Sequence, residues 1–184
     1  AAPGGACGYG DPLDRDPEKV RGDLVAELVT PVFAEKIYGV AVGPDGRVDE
    51  SATHVLRERH RLKRRERIGG GPAPAGRPPN LGGRGIRANE YVVWDEEREE
   101  LVCRKCGHSF GPIDADPKER AASEDAPLSV GGPVMGQLYD RGRFVFRLYY
   151  CPGCVSLLEC EVLRKGDAPV WGRFSALPRG RRAK

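Results

Sequence analysis

The sequence predicts an α+β protein in which an N-terminal extended helical arm precedes a small antiparallel β module. Helix-start patterns and helical periodicity occupy residues 1–67, whereas period-two alternation and paired cysteines occupy the second half. A stretch at 69–89, made almost entirely of Gly, Pro, Ala, Arg and Asn, separates the two. We therefore expect an arm at 1–68, a linker at 69–89, a β domain at 90–177 with an insertion at 111–142, and a basic tail at 178–184.

Two C-x-x-C motifs organise the second half of the chain. Each motif follows a strand-like run, so the pair can bring four thiolates to the corners of a tetrahedron. Thiolates are soft ligands that favour zinc over magnesium or calcium. The motifs thus predict a zinc-ribbon-like module with a structural Zn²⁺ held by Cys103, Cys106, Cys151 and Cys154. Gly107 and Gly153 suit the tight turns that such a site needs.

Other interpretations of the cysteines remain open. Disulfides need an oxidising compartment, and the N-terminus lacks the apolar core of a signal peptide, so we expect reducing cytoplasm. A redox C-x-x-C opens a helix, but the sequence after Cys154 is strand-like. His108 is an alternative fourth ligand. Cys160 alternates with Glu159 and Glu161 along a predicted strand, and we expect its thiol to be buried.

Three helices are predicted in the arm. Asp16-Pro17 and Thr30-Pro31 are each an N-cap followed by an N1 proline, and Gly39 ends the second helix. Asp49 caps a third helix that runs from about Glu50 to Arg67. Val20, Leu24 and Leu28 form an apolar stripe, and Val40 and Val42 suggest a short strand.

The third helix is strongly basic. Its segment VLRERHRLKRRER favours either a phosphate or acidic partner, or a solvated helix end whose cations complement the helix dipole. The net charge of +3 is too small to indicate nucleic acid by itself. No apolar run approaches the length of a membrane span.

The β module is predicted from four short runs. These are Tyr91–Trp94, a turn at Asp95–Arg98 leading to Glu99–Cys103, then Arg143–Tyr150, and a last strand beyond Cys154. The insertion at 111–142 has weak periodicity and its fold is not predicted.

No catalytic constellation is visible in the sequence. It contains no phosphate-binding loop, no G-x-S-x-G and no H-E-x-x-H. Four cysteine ligands leave no open position for a catalytic water, so we expect the metal to serve folding. We therefore expect no catalytic residue within this chain.

Two segments of the second half resemble a known family. LVCRKCGHSFG, followed by RLYYCPGCVSLLECEVLRKGDAPVW, is similar to the small, gamma-type subunit of acetone carboxylase over roughly residues 91–174. The residues that fit are Cys106, Gly107, His108, Phe110, Tyr150, Cys151, Pro152, Gly153, Cys154, Leu157, Leu158 and Glu159.

The first half resembles the C-terminal tail of hydantoinase B/oxoprolinase-type large subunits. This family also supplies the carboxylating subunit of acetone and acetophenone carboxylases. The residues that fit are Gly8, Tyr9, Gly10, Asp11, Pro12, Asp16, Pro17, Tyr38, Gly39, Val40, Asp49, Ala52, Thr53 and Arg57.

Together the resemblances imply an architectural zinc subunit of an ATP-dependent carboxylase that acts on a ketone or related carbonyl compound. Its partners would be large hydantoinase-A-like and hydantoinase-B-like subunits, which would carry ATP and any catalytic metal. Two alternatives stay open: a subunit of an ATP-dependent hydantoinase or oxoprolinase-type amidohydrolase, and a zinc-ribbon nucleic-acid-binding protein. The acidic strands of the β module argue against the latter.

Overall fold

The computed structural model describes residues 10–69, 87–131 and 141–169. Residues 10–69 belong to one compact unit, and the remaining described residues belong to a second. Helices and two small antiparallel sheets confirm the predicted α+β class. Most of the predicted linker, part of the insertion and the tail at 178–184 lie outside the described residues, as do Gly8 and Tyr9. The predicted domain boundaries stay a prediction.

The first unit is helical. A 3₁₀ turn at Pro12–Asp14 leads into α1 (Pro17–Val25). Helix α2 (Pro31–Phe33) continues into a π-helical turn at Ala34–Tyr38, and the long helix α3 spans Glu50–Arg67. Within the described residues, no helix has both the length and the hydrophobicity that a membrane span requires.

The predicted caps of these helices are present. The side chains of Asp16, Thr30 and Asp49 accept hydrogen bonds from the backbone N–H groups of their first turns. Each satisfies an N–H group that has no partner within the helix. Gly39 ends the second helical segment with φ of 59°, the left-handed conformation that glycine adopts at least cost.

The core of this unit is small. Val20, Ala34 and Val40 are fully buried, whereas Leu28, which the predicted apolar stripe included, is exposed. The predicted strand is reduced to one isolated bridge between Val42 and Val48. The chain turns directly toward α3 at this point, which leaves no length for a ladder.

The second unit contains two three-stranded antiparallel sheets. The first sheet joins β1 (Val92–Asp95), β2 (Glu100–Cys103) and β3 (Ser109–Gly111) in that order. The second joins β4 (Ala122–Pro127), β5 (Phe144–Tyr150) and β6 (Leu157–Arg164). A short helix, α4 (Pro117–Arg120), precedes β4, and a 3₁₀ turn at Leu128–Gly131 follows it. The insertion between the cysteine motifs thus contains β4, which is an edge strand of the second sheet.

The orientation of β6 is opposite to the prediction. Cys160 and Val162 are exposed, whereas Glu159 and Glu161 are partly buried. The expectation of a buried Cys160 thiol is therefore wrong. The reason is Lys118, which offers the two carboxylates a cationic partner on the inner face.

Candidate metal centre

The four predicted ligand cysteines come together between two β-hairpins. Cys103 ends β2 and Cys106 lies in the β2–β3 connection, whereas Cys151 and Cys154 lie in the β5–β6 connection. Their four Sγ atoms all lie within 4.8 Å of one another. A zinc ion with Zn–S bonds near 2.3 Å places its sulfurs about 3.8 Å apart. The closest Sγ pairs, Cys103–Cys154 at 3.6 Å and Cys106–Cys151 at 3.5 Å, are close to that spacing.

The two cysteine motifs have the same backbone geometry. In the first, Gly107 N donates to Cys103 O at 2.8 Å; in the second, Val155 N donates to Cys151 O at 2.9 Å. The first cysteine of each motif donates its N–H to the carbonyl five residues later, at His108 and Ser156. We call this repeated unit the knuckle. Its repetition means that the two hairpins present their cysteines in the same way.

The residue after each second cysteine is left-handed. Gly107 has φ of 72°, as expected for a glycine in a tight turn. In the second knuckle the left-handed residue is Val155, with φ of 53°, and not the predicted Gly153. A β-branched residue in this conformation is uncommon and strained. Val155 is buried, so its packing offsets part of that strain.

The thiols are held in a protected environment. Cys103 and Cys151 are fully buried against Val92, Leu101 and Phe110. The Cys154 thiol lies 3.3 Å from Ser156 Oγ. Hydrogen bonds from Cys103 and then Cys151 lower the pKa of Cys106 to about 7, and hydrogen bonds from the other three thiols also lower the pKa of Cys154.

The other two thiols hold their protons more tightly. The pKa of Cys103 is raised, chiefly through its hydrogen bond with Cys106, and the pKa of Cys151 is raised through its contact with Cys103. Closely packed thiols share protons in this way when no cation neutralises them, because four adjacent thiolates would repel one another. A divalent cation between the sulfurs relieves that repulsion and displaces the protons. The donor set therefore fits a soft metal ion.

His108 does not join the thiol group among the described residues. Its ring instead packs edge-to-face on Phe110, with the centroids 5.1 Å apart. Burial lowers the pKa of His108 below its usual value. His108 thus contributes to the wall of the site.

A charged cluster that sequence analysis missed lies in the same unit. The Lys118 side chain is only 3% exposed; its Nζ pairs with Glu159 at 3.2 Å and also bonds Glu161. Glu161 accepts a further hydrogen bond from Tyr149 Oη at 2.9 Å. Burial acts to lower the pKa of Lys118, but the two carboxylates outweigh it and raise the pKa. The sequence contained one indication of this cluster, the alternation of glutamates along β6. If the glutamate side of the strand is the buried one, its carboxylates require a cation.

Three arginines of the basic helix in the first unit make internal contacts with the N-terminal loop. Arg57 Nη2 donates to the Arg15 carbonyl, Arg61 pairs with Asp14, and Arg64 pairs with Asp11. These arginines lie at i, i+4 and i+7, on one face of α3. The sequence predicted either a site for a phosphate or acidic partner or a solvated helix end. Neither role describes these three arginines, because they fasten the N-terminal loop to the helix. This use of charge weighs against the nucleic-acid alternative.

Paired hairpins with a four-cysteine cluster define a zinc-ribbon-like module within a mixed α+β chain. Residues 85–174, just under half of the chain, match the family described as acetone carboxylase gamma subunit. The resemblance predicted from the sequence is confirmed.

Three curated relatives, each named as an enzyme subunit, match about a third of the chain. The chain is 44% identical over 64 residues to the acetone carboxylase alpha subunit of Xanthobacter autotrophicus, covering 33% of this chain and 8% of the relative. It is 44% identical over 64 residues to the acetophenone carboxylase delta subunit of Aromatoleum aromaticum, covering 34% and 9%. It is 45% identical over 58 residues to caprolactamase subunit beta of Pseudomonas jessenii, covering 32% and 10%. The chain therefore spans a tenth or less of the length of these relatives.

Proposed function

We propose that this chain is a non-catalytic, zinc-binding small subunit of a multisubunit ATP-dependent carboxylase that acts on a ketone or related carbonyl compound. One observation carries the proposal: the segment matching the acetone carboxylase gamma subunit contains all four clustered cysteines. Relatives named as acetone and acetophenone carboxylase subunits support the same enzyme system.

Zn²⁺ is the metal that best suits the cluster. Cys103, Cys106, Cys151 and Cys154 would hold it, and four thiolates leave no position for water or substrate. The ion would supply folding energy, on the order of 10–16 kcal/mol for structural zinc sites, and no Lewis acid chemistry. The role of this unit is therefore architectural.

The reaction itself belongs to partner subunits in this proposal. Large hydantoinase-A-like and hydantoinase-B-like subunits would carry ATP, the organic substrate and any catalytic metal. The matches to the curated relatives are about as long as the first unit, and that unit contains the residues that resemble hydantoinase-B-type tails. We infer that the first unit corresponds to a terminal piece of such a large subunit.

Native mass spectrometry of the chain purified from its source, with metal analysis on the same sample, tests the proposal. The expected result is a hetero-oligomer with two or more large subunits and one zinc per chain. Bicarbonate-dependent and ketone-dependent ATP hydrolysis by that complex would then identify the reaction. A zinc-loaded chain found alone, or bound to nucleic acid, would overturn the proposal.

An amidohydrolase is the second candidate, because one relative is named caprolactamase subunit beta. In that case the complex would hydrolyse a cyclic amide with ATP and would incorporate no carbon from bicarbonate. The gamma-subunit match favours the carboxylase. Labelled bicarbonate separates the two, since only a carboxylase transfers the label to an organic acid.

A further inference from the structure

The first unit displays an apolar surface that its own core does not use. Its fully buried hydrophobic side chains at the main cluster are Val20, Ala34 and Val40. Four other apolar side chains between Val20 and Ala34 in sequence are exposed; they are Val25 at 74%, Leu28 at 74%, Val32 at 59% and Phe33 at 44%. We call these four residues the turn patch.

The turn patch is held in place by a hydrogen-bonded turn. Ala26 N donates to Gly22 O at the end of α1, and Leu28 N donates to Asp23 O at 2.9 Å. Glu27 takes a left-handed conformation with φ of 57°, and Thr30 then caps α2. A non-glycine residue in that conformation has an energetic cost. The turn is therefore ordered although Glu27 is strained. It leaves large apolar side chains exposed to solvent.

Two ion pairs within the unit lie close in sequence to this surface. Arg15 pairs with Asp23 at 2.7 Å, and Arg21 pairs with Glu18 at 2.6 Å, both close in sequence to the turn patch. The four side chains of the turn patch themselves offer apolar contact to a partner. Exposed large apolar side chains concentrated within residues 25–33 are typical of a surface that another protein covers.

The relatives indicate what covers the turn patch. In each of them the matched stretch is only 8–10% of a much longer chain. A stretch so attached has the rest of its own polypeptide available to bury apolar side chains. Here it is joined to a gamma-type module instead.

We propose that the turn patch docks onto the hydantoinase-B-like large subunit of the complex and supplies in trans a segment that the relatives contain in cis. This inference rests on the proposed function, since it needs that large subunit as the partner. The partner surface must be apolar, and the partner chain must lack a tail of its own that resembles residues 10–69. A partner sequence that contains such a tail overturns the inference.

Two double variants test the surface in the assembled complex. Leu28→Ser/Phe33→Ser alters the turn patch, and Val55→Ser/Leu62→Ser alters two comparably exposed residues of α3, at 55% and 59%. Each tagged chain is co-expressed with the large subunits and recovered by affinity. Truncation of a buried apolar anchor weakens binding by about tenfold or more, so the turn-patch variant should recover about tenfold less large subunit. The α3 variant should match the unaltered chain.

The outcomes separate the two proposals. If the unaltered chain recovers no large subunit, the proposed function fails. If the unaltered chain and the turn-patch variant recover it equally, or if only the α3 variant loses it, the docking surface is wrong while the function stands. Zinc content and far-ultraviolet circular dichroism of each variant verify its fold.

Hydrogen exchange on the unaltered complex gives a test that needs no variant. Amides of residues 25–33 should exchange more slowly in the complex than in the isolated chain, whereas those of residues 54–62 in α3 should change little. Unchanged exchange at residues 25–33 overturns the inference.

Discussion

Asp11 and Arg64 form a bidentate ion pair although 53 positions separate them. Arg64 Nη1 lies 2.5 Å from Asp11 Oδ2, and Nη2 lies 2.9 Å from Oδ1. The Asp11 side chain is only 1% exposed, so the guanidinium is its means of neutralisation. Asp11 Oδ1 also accepts the N–H of Leu13, which starts the 3₁₀ turn. One carboxylate therefore shapes the N-terminal loop and fastens it to the last turns of α3.

Replacing Arg64 should destabilise the first unit strongly. Arg64→Met leaves the Asp11 carboxylate buried without its cation, and we expect a loss of about 3 kcal/mol in the free energy of unfolding. Arg64→Lys should also destabilise, because an ammonium cannot bond both carboxylate oxygens in the same geometry. Urea unfolding followed by circular dichroism at 222 nm measures both. Arg59→Met, on the exposed side of the same helix, serves as the control and should change stability by less than about 0.5 kcal/mol.

Two glycine-to-alanine substitutions should change the free energy of unfolding in opposite directions. At Gly39 the φ of 59° is unfavourable for alanine, and an added Cβ would meet Arg57 Cγ at 2.9 Å. We expect Gly39→Ala to cost about 1–3 kcal/mol. At Gly22, within α1, a Cβ would meet nothing within 4 Å, so Gly22→Ala should stabilise by about 0.5–1 kcal/mol. Equal thermal shifts for the two variants would contradict this account.

Removing Lys118 should destabilise the second unit. Lys118→Met leaves Glu159 and Glu161 facing each other without a cation, at an expected cost of about 3 kcal/mol. The triple variant Lys118→Met/Glu159→Gln/Glu161→Gln should recover most of this loss, because no unpaired charge remains. Chemical unfolding of the zinc-loaded protein measures the difference. A triple variant no more stable than the single one would show that charge pairing is not the cause.

The raised pKa of Lys118 determines how the stability difference between the unaltered chain and Lys118→Met depends on pH. Its ordinary value is 10.5, and the folded protein holds the proton more tightly. The stabilisation is therefore complete below pH 10.5 and is lost only as the pH rises through the higher folded pKa. The stability difference between the unaltered chain and Lys118→Met should be constant from pH 7 to 9. A decline within that range would contradict the pairing.

Removing the proposed metal should unfold the second unit selectively. A strong zinc chelator should abolish its β-sheet signal while the helical signal of the first unit persists, because the cysteines lie entirely in the second unit. Cys151→Ser should reduce zinc below one ion per chain. Cys160→Ser, which alters an exposed cysteine, should retain one ion and normal stability. Loss of zinc from both variants alike would argue against the assigned ligands.

Local features of the chain were predictable from its sequence. Helix caps such as Asp16 and Asp49 act over three residues, so a short stretch of sequence contains the whole interaction. The cysteine knuckles are similarly short, and their pairing follows from ligand chemistry. The predicted bounds of the third helix coincide with the observed Glu50–Arg67 for the same reason.

Features that depend on distant partners were not predictable. Glu159 and Glu161 face inward because of Lys118, which comes from an insertion without visible periodicity. Hydrophobicity alone predicts that Cys160 and Val162 lie on the buried face of β6. The ion pairs of Lys118 instead place the two glutamates on that face. The arginines of α3 gave no local indication of their partners, because Asp14 precedes Arg61 by 47 positions and Asp11 precedes Arg64 by 53.

The separation of the two knuckles along the chain affects how the second unit folds. Each hairpin closes through neighbouring residues, whereas contact between Cys106 and Cys151 closes a loop of 45 positions. The entropy of closing a flexible loop rises only logarithmically with its length, by about 0.6 kcal/mol for each doubling. Residues can therefore be added to the segment between the hairpins at little thermodynamic cost, provided that both knuckles, Lys118 and β4 are kept. Capture of the second hairpin by an ion already bound to the first would be the slow step, and the rate of refolding should then depend on metal concentration.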